Sequence, residues 1–208
     1  MAWHYVFDFG RVLFRWEPEA LLRQVLPQRA ADAGAARHWV AQVFQGYDGD
    51  WGDFDRGSVS VDALVQRIAT RTGLAPAEVQ ALVDAVPQQL HPLADSVDLL
   101  QRLRAAGQRT FYLSNMPAPY ADHLEREHGF VAGFEAGVFS GREGLAKPDA
   151  AIFALAAQRF GVAPHELVFL DDHGPNVQAA RAAGWQALQF HDAAQAEREL
   201  RAAGWWPG

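Results

Sequence analysis

Apolar positions along the chain gather into short unbroken runs separated by longer stretches of helical periodicity. Trp3 to Phe7, Thr110 to Leu113 and Leu167 to Leu170 are the clearest runs, with a fourth at Gln186 to Phe190; their length and bounding residues predict strands. The first three each end on a polar residue: Asp8, Ser114 and Asp171. Between and after them the spacing is helical, and Gly107, Gly129, Gly161, Gly184 and Gly204 stand where a helix would end in a left-handed residue. Pro92, Pro148 and Pro119 mark helix starts. Strands alternating with helices predict an α/β fold, a doubly wound parallel sheet of the Rossmann-like kind, which takes ligands at the carboxyl ends of its strands. Asp8, Ser114 and Asp171 fall on that edge.

The alternation fails between about Arg15 and Leu90. That segment reads as several helices, Val61 to Thr72 and Pro76 to Val86 among them, with no convincing strand. It predicts a helical cap, residues 15–90, inserted into a core of residues 1–14 and 91–208. The crossings are expected near Phe14 to Pro18 and near Pro87 to Pro92, where two prolines interrupt the periodicity.

Half of the 208 residues are hydrophobic, enough for a substantial core. A net charge of −7 with no dense Lys/Arg run argues against nucleic acid or a membrane surface as partner. The first apolar run lacks a basic region before it, and no stretch approaches the roughly 20 apolar residues of a membrane span, so the expected location is cytoplasmic. Cysteine is absent, which leaves carboxylate, imidazole and hydroxyl chemistry and makes any bound metal a hard ion held through oxygen. The chain is expected to act as a monomer or homodimer; Trp205 and Trp206 offer either a dimer contact or packing of the tail on its own domain.

Four clusters carry candidate chemistry, and each also fits a structural role. Val6-Phe7-Asp8-Phe9-Gly10-Arg11 puts a carboxylate at a strand end before a glycine that lets the backbone turn around a ligand; an Asx-type turn would look the same. Leu113-Ser114-Asn115 ends a strand in a hydroxyl and backbone N–H groups that can hold an anion, or simply leads into a loop. Ala146-Lys147-Pro148-Asp149 sets a lysine beside a helix start, unfavourable without an anion nearby, unless the side chain is solvated. Leu170-Asp171-Asp172-His173-Gly174 places two adjacent carboxylates at the end of a buried strand, where a divalent cation would offset their repulsion; alternatively one caps the following helix.

In this order, the four clusters resemble the motifs of the haloacid dehalogenase (HAD) superfamily. Asp-Phe-Gly-Arg-Val, Leu-Ser-Asn, Ala-Lys-Pro-Asp and Phe-Leu-Asp-Asp look like its sugar-1-phosphate phosphatase subgroup, notably α-D-glucose-1-phosphate phosphatase, as does Phe54-Asp55-Arg56-Gly57-Ser58-Val59-Ser60 within the cap. The resemblance implies a phosphatase acting on a small phosphorylated metabolite through an aspartyl-phosphate on Asp8. It implies Mg²⁺ on Asp8, the Gly10 carbonyl and Asp172, with Asp171 in a supporting or water-mediated position. Ser114 and the Asn115 N–H would hold phosphoryl oxygens, Lys147 would neutralise transition-state charge, and Arg11 joins these three in binding substrate. Asn176 would fix the metal loop.

One departure stands out. Most phosphatases of the superfamily that this chain resembles carry a second aspartate, the proton shuttle, where Gly10 stands, whereas the resembling subgroup shares the glycine. The loss of that aspartate fits a leaving group of low basicity, such as the anomeric hydroxyl of a sugar 1-phosphate, or a substitute in Arg11, His173 or a cap residue. Tyr47, Trp51, Phe54 and Arg56 either face the substrate or form the core of the cap. Two other readings share the fold: a metal-free 2-haloacid dehalogenase and a weakly active binding or regulatory module.

Overall fold

The computed structural model describes residues 3–207. Strands β1 (His4–Phe7), β2 (Thr110–Ser114), β3 (Ala136–Phe139), β4 (Leu167–Asp171) and β5 (Gln186–Gln189) form one parallel sheet in the order β3-β2-β1-β4-β5. β2 and β4 are buried throughout, as expected of parallel strands covered on both faces, and so they read as continuous apolar runs. Alternate side chains of β1 serve different cores: Tyr5 and Phe7 join one apolar cluster and Val6 the other. Chain order reverses on either side of β1, so the crevice between the carboxyl ends of β1, β2 and β4 is the ligand-binding edge of this topology.

Five helices make up the insertion between β1 and the helix and strand β2 that resume the sheet: α1 (Pro18–Val25), α2 (Ala33–Phe44), α3 (Gly49–Asp55), α4 (Val61–Thr72) and α5 (Pro76–Gln89). The chain leaves and re-enters the sheet region side by side, with Arg15 N–H donating to His91 C=O at 2.8 Å and Leu93 N–H to Leu13 C=O at 2.8 Å. The remaining helices are α6 (Ala94–Ala105), α7 (Ala118–Glu127), α8 (Ser140–Glu143), α9 (Ala150–Phe160), α10 (Gly174–Ala182) and α11 (Ala193–Ala202).

Several local expectations need correction. β3 carries no clear strand signal, being four residues long with Gly137 inside it; that glycine is required because a Cβ there would lie 1.9 Å from the Tyr112 ring. α5 does not end at Val86 but runs through Pro87 to Gln89. Proline in a helix leaves the carbonyl four residues earlier without its donor. Here that carbonyl, Val83 C=O, accepts the Tyr120 hydroxyl at 2.8 Å, which pins α5 to α7. Pro92 and Pro148 precede their helices by two residues, which begin at Ala94 and Ala150, while Pro119 lies in the first turn of α7. Gly107, Gly161, Gly184 and Gly204 have positive φ; Gly129 does not. The tail packs on its own domain: Trp3 Nε1 donates to Gly204 C=O at 3.0 Å, the Tyr5 hydroxyl to Trp205 C=O, and Arg201 lies 4.3 Å from the Trp206 ring centroid. Among the described residues no helix is long and apolar enough to cross a membrane.

Candidate active site

The crevice between the sheet edge and the helical insertion opens into a cavity of about 790 Å³, lined by Asp8, Gly10, Arg11, Ser114, Asn115, Lys147 and Asp172 from the sheet edge. Asp8 follows β1, its N–H donating to Leu170 C=O at 3.0 Å. Beyond it the backbone closes on itself: Val12, Leu13 and Phe14 N–H all donate to Phe9 C=O, at 3.2, 2.9 and 2.8 Å. The Phe9 ring anchors this loop, with centroids 5.2 Å from Phe14 and 5.1 Å from both Tyr112 and Phe139. The left-handed residue of the turn is Arg11, φ +58°, and not Gly10. A Cβ built on Gly10 would meet nothing within 4 Å.

Lys147 is not a solvated lysine. Only 4% exposed, its Nζ lies 2.9 Å from Asp8 Oδ1 and 2.6 Å from Asp171 Oδ2. Asn115 holds the lysine's backbone from two sides, Nδ2 donating to Lys147 C=O at 2.9 Å and Oδ1 accepting Lys147 N–H at 2.8 Å. The residue just after β2 thus fixes the loop that delivers the cation. Ser114 is buried beside it and lines the cavity.

The acidic pair divides its work. Asp171 is fully buried, and besides Lys147 it accepts the His173 N–H at 2.7 Å and Asn176 Nδ2 at 3.1 and 3.0 Å. Neither aspartate caps α10, whose N-cap is His173 without a side-chain bond. Asp172 faces the cavity, its Oδ2 3.9 Å from Arg11 Nη1. Arg11 itself is exposed at the cavity rim.

Oxygens of Asp8, Asp171 and Asp172 lie within 4.8 Å of one another. Burial pushes the Asp8 carboxyl up, to about 7, with Lys147 opposing and Asp171 and Asp172 adding to the rise. Burial likewise raises Asp172, helped by Asp171 and opposed by Arg11. Burial alone would lower Lys147, but Asp171 and Asp8 outweigh it and hold its ammonium charged. Three carboxylates around one ammonium leave two negative charges in excess, which one divalent cation would neutralise. Among the described residues no N–H donates to the Gly10 carbonyl, so this hard oxygen is available as well.

The insertion supplies the opposite wall: Trp16, Val40, Tyr47, Trp51, Asp55, Arg56, Val86 and Leu90, with Met116 and Tyr120 from the sheet side. Trp51 both lines the cavity and packs on Phe44 and Phe54, with centroids 4.4 and 5.9 Å apart, whereas Phe54 lies against Tyr120 at 5.6 Å and belongs to the packing. Tyr47 is exposed and accepts the Trp16 indole N–H at 2.6 Å. Ser140, which sequence reasoning does not single out, accepts Met116 N–H at 2.8 Å and donates to Asp55 C=O, tying α3 to the sheet edge.

A strand-end carboxylate ion-paired to a buried lysine, beside an acidic pair at the end of a neighbouring parallel strand, defines a hydrolase site of the HAD kind. A model of haloacid dehalogenase-like hydrolases matches residues 5–184, and the chain belongs to that family. It is 27% identical to the sesquiterpene phosphatase astK of Aspergillus oryzae, over 94% of this chain and 93% of that protein. Among solved structures, a predicted HAD-like family hydrolase from Porphyromonas gingivalis aligns with a TM-score of 0.74 at 25% identity, over 97% of this chain and 98% of that one. The HAD family enzyme bt-2542 of Bacteroides thetaiotaomicron, in complex with magnesium and inorganic phosphate, shares the fold with a TM-score of 0.72 at 20% identity, over 92% and 95%.

Proposed function

We propose that this chain is a Mg²⁺-dependent phosphomonoesterase that hydrolyses a small phosphorylated metabolite through an aspartyl-phosphate on Asp8. The observation that carries this reading is the pairing of Asp8 with buried Lys147 inside a three-carboxylate cluster at the ligand-binding edge of the sheet. Asp8, the Gly10 carbonyl and Asp172 would hold the ion, with Asp171 behind them orienting Lys147. Bound there, Mg²⁺ supplies the positive charge that lets a phosphate dianion approach a carboxylate. Asp8 attacks phosphorus in line with the departing alcohol. Ser114 Oγ and the Asn115 N–H hold phosphoryl oxygens, and Lys147 takes up charge on a third. Arg11 at the rim meets the incoming phosphate. The insertion, residues 15–90, acts as a cap on a core of residues 1–14 and 91–208, excluding water and choosing the leaving group.

The resemblance of the motifs supports a sugar 1-phosphate as substrate. A second reading has a specific observation behind it: the cavity that Asp8 lines also carries Trp16, Val40, Trp51, Val86, Leu90 and Met116, apolar side chains suited to a hydrocarbon alcohol. The likeness to a sesquiterpene phosphatase over nearly the whole of both chains supports the same view. Phosphate release is to be measured from glucose 1-phosphate, glucose 6-phosphate and a prenyl monophosphate with Mg²⁺, using Asp8→Asn as the blank. Release that Asp8→Asn retains, or that survives EDTA, would refute the mechanism. Halide release from a 2-haloacid in EDTA would favour the dehalogenase reading.

A further inference from the structure

Breaking a phosphate ester of an ordinary alcohol expels a strongly basic oxygen, and a positioned acid is worth about 10²–10⁴-fold in that step. Gly10 has no side chain to give a proton. Lys147 is committed to two carboxylates, and Asp172 faces the cation site. His173 lines the cavity but is exposed. Glu17 and Asp48 are exposed too, and Glu19 is half-exposed and near Arg37. Among the described residues, one buried carboxyl remains outside the Asp8 cluster: Asp55, 7% exposed at the end of α3, which lines the same cavity as Asp8.

Resting on the phosphatase reading, we propose that Asp55 is the general acid and base of this site, donating a proton to the leaving oxygen and then taking one from the hydrolytic water. Its side chain makes no hydrogen bond to any described residue, while its backbone is fixed by the Ser140 hydroxyl. The next turn is pressed onto the sheet edge so closely that a Cβ at Gly57 would lie 2.2 Å from Gly141 C=O. The backbone that carries it is therefore held in place, while the carboxyl itself is unspent. Burial holds it well above the ordinary carboxylate range, with Arg56 opposing, so it keeps a proton to give. The titratable groups around it are Arg56 just after α3, Tyr47 on the preceding turn and Tyr120 on α7. α8 contributes the Ser140 hydroxyl, and the arginines of α4 that reach α3 are paired elsewhere, Arg67 with Asp53 and Arg71 with Asp50.

The steps balance. An Asp8 carboxylate oxygen bonds to phosphorus as the bond from phosphorus to the alcohol oxygen breaks, and the Asp55 proton passes to that oxygen. Products are the alcohol, phospho-Asp8 and the Asp55 carboxylate. Water then attacks phosphorus and gives a proton to Asp55, releasing hydrogen phosphate and restoring the Asp8 carboxylate and the Asp55 acid.

Asp55→Asn keeps the shape and removes the proton, and no side-chain bond is lost. The full chain with Mg²⁺ is assayed on 4-nitrophenyl phosphate, whose leaving group needs no acid, and on a simple alkyl phosphate, whose leaving group does. The variant should lose about 10²–10⁴-fold in kcat/KM on the alkyl ester and less than about 10-fold on the aryl ester. The wild-type decline of alkyl kcat/KM at high pH should vanish in the variant. Adding Gly10→Asp, for which the loop has room, should restore alkyl turnover to Asp55→Asn. Equal losses on both esters, or an unchanged leaving-group preference and pH profile, would overturn the role of Asp55 while leaving the phosphatase standing. No release by the wild type from either ester would overturn both.

Discussion

Replacing Lys147 with methionine removes the cation between Asp8 and Asp171 at similar side-chain length. With Nζ 2.9 Å from Asp8 and 2.6 Å from Asp171, the gross attraction at an effective dielectric of about 20 is roughly 6 kcal/mol per pair. Desolvation of the ammonium cancels several kcal/mol of this. What the variant leaves, two buried carboxylates without a counter-charge, costs about 3–5 kcal/mol. With a urea slope of about 2 kcal/mol per molar, the midpoint should fall by roughly 1.5–2.5 M in EDTA at about pH 8. The sign of the pH effect follows from the raised carboxyl. A group whose folded pKa exceeds its unfolded value stabilises the fold at low pH, and that contribution is lost as pH rises through the folded value. Burial already lifts Asp8 to about 7, and without Lys147 it rises further. The variant should therefore regain part of the deficit between about pH 8 and pH 5, and Mg²⁺ should narrow it at the higher pH. Identical urea midpoints for variant and wild type at about pH 8 in EDTA would refute the argument.

The two aspartates of the acidic pair should separate in their effects. Asp172→Ala should weaken Mg²⁺ activation more than Asp171→Ala, about 10-fold or more in the metal titration. Asp171→Ala should lower thermal stability more, because it strips partners from Lys147, Asn176 and the His173 N–H; the reverse ranking in either measurement would show that the direct ligand is Asp171. Tyr120→Phe leaves the Val83 carbonyl without its donor and should cost about 1–3 kcal/mol in urea unfolding; an unchanged midpoint would mean that water takes the place of the hydroxyl. Gly137→Ala drives a methyl into the Tyr112 ring and should cost about 1–3 kcal/mol, with wild-type stability contradicting the close packing of β3 on β2.

Buried parallel strands are continuous apolar runs, which is why β1, β2 and β4 were legible in the sequence, and the polar residue ending each run marked the ligand edge. β3 was not, since a four-residue strand whose glycine serves a neighbour's aromatic ring carries no periodicity of its own. The candidate site was legible in its residue types but not in its wiring. Nothing local to Lys147 says that it is buried between Asp8 and Asp171, and nothing local to Pro87 says that a tyrosine 33 positions later completes its helix. The motif around Asp55 was legible, but its place in the cavity was not, because the Asp55 backbone is held by Ser140, 85 residues away.

The structure sharpens what the sequence says of Gly10. A glycine in a tight loop ordinarily answers a conformational or steric demand. Here the left-handed turn falls on Arg11, the loop is closed by three amides converging on Phe9, and the space beside Gly10 is open. Neither backbone nor packing forbids a β-carbon at this position. The absence of a carboxyl there is therefore a feature of the chemistry, and a site without it either takes only esters that leave unaided or receives its proton from elsewhere. The apolar cavity wall favours the second case, because a hydrocarbon alcohol is a poor leaving group. An acid on the insertion would also be brought to the ester only when the insertion lies on the sheet edge, as the Ser140 and Tyr120 bonds hold it. Proton donation would then be tied to closure, so that phosphoryl transfer begins only over a substrate already shielded from water.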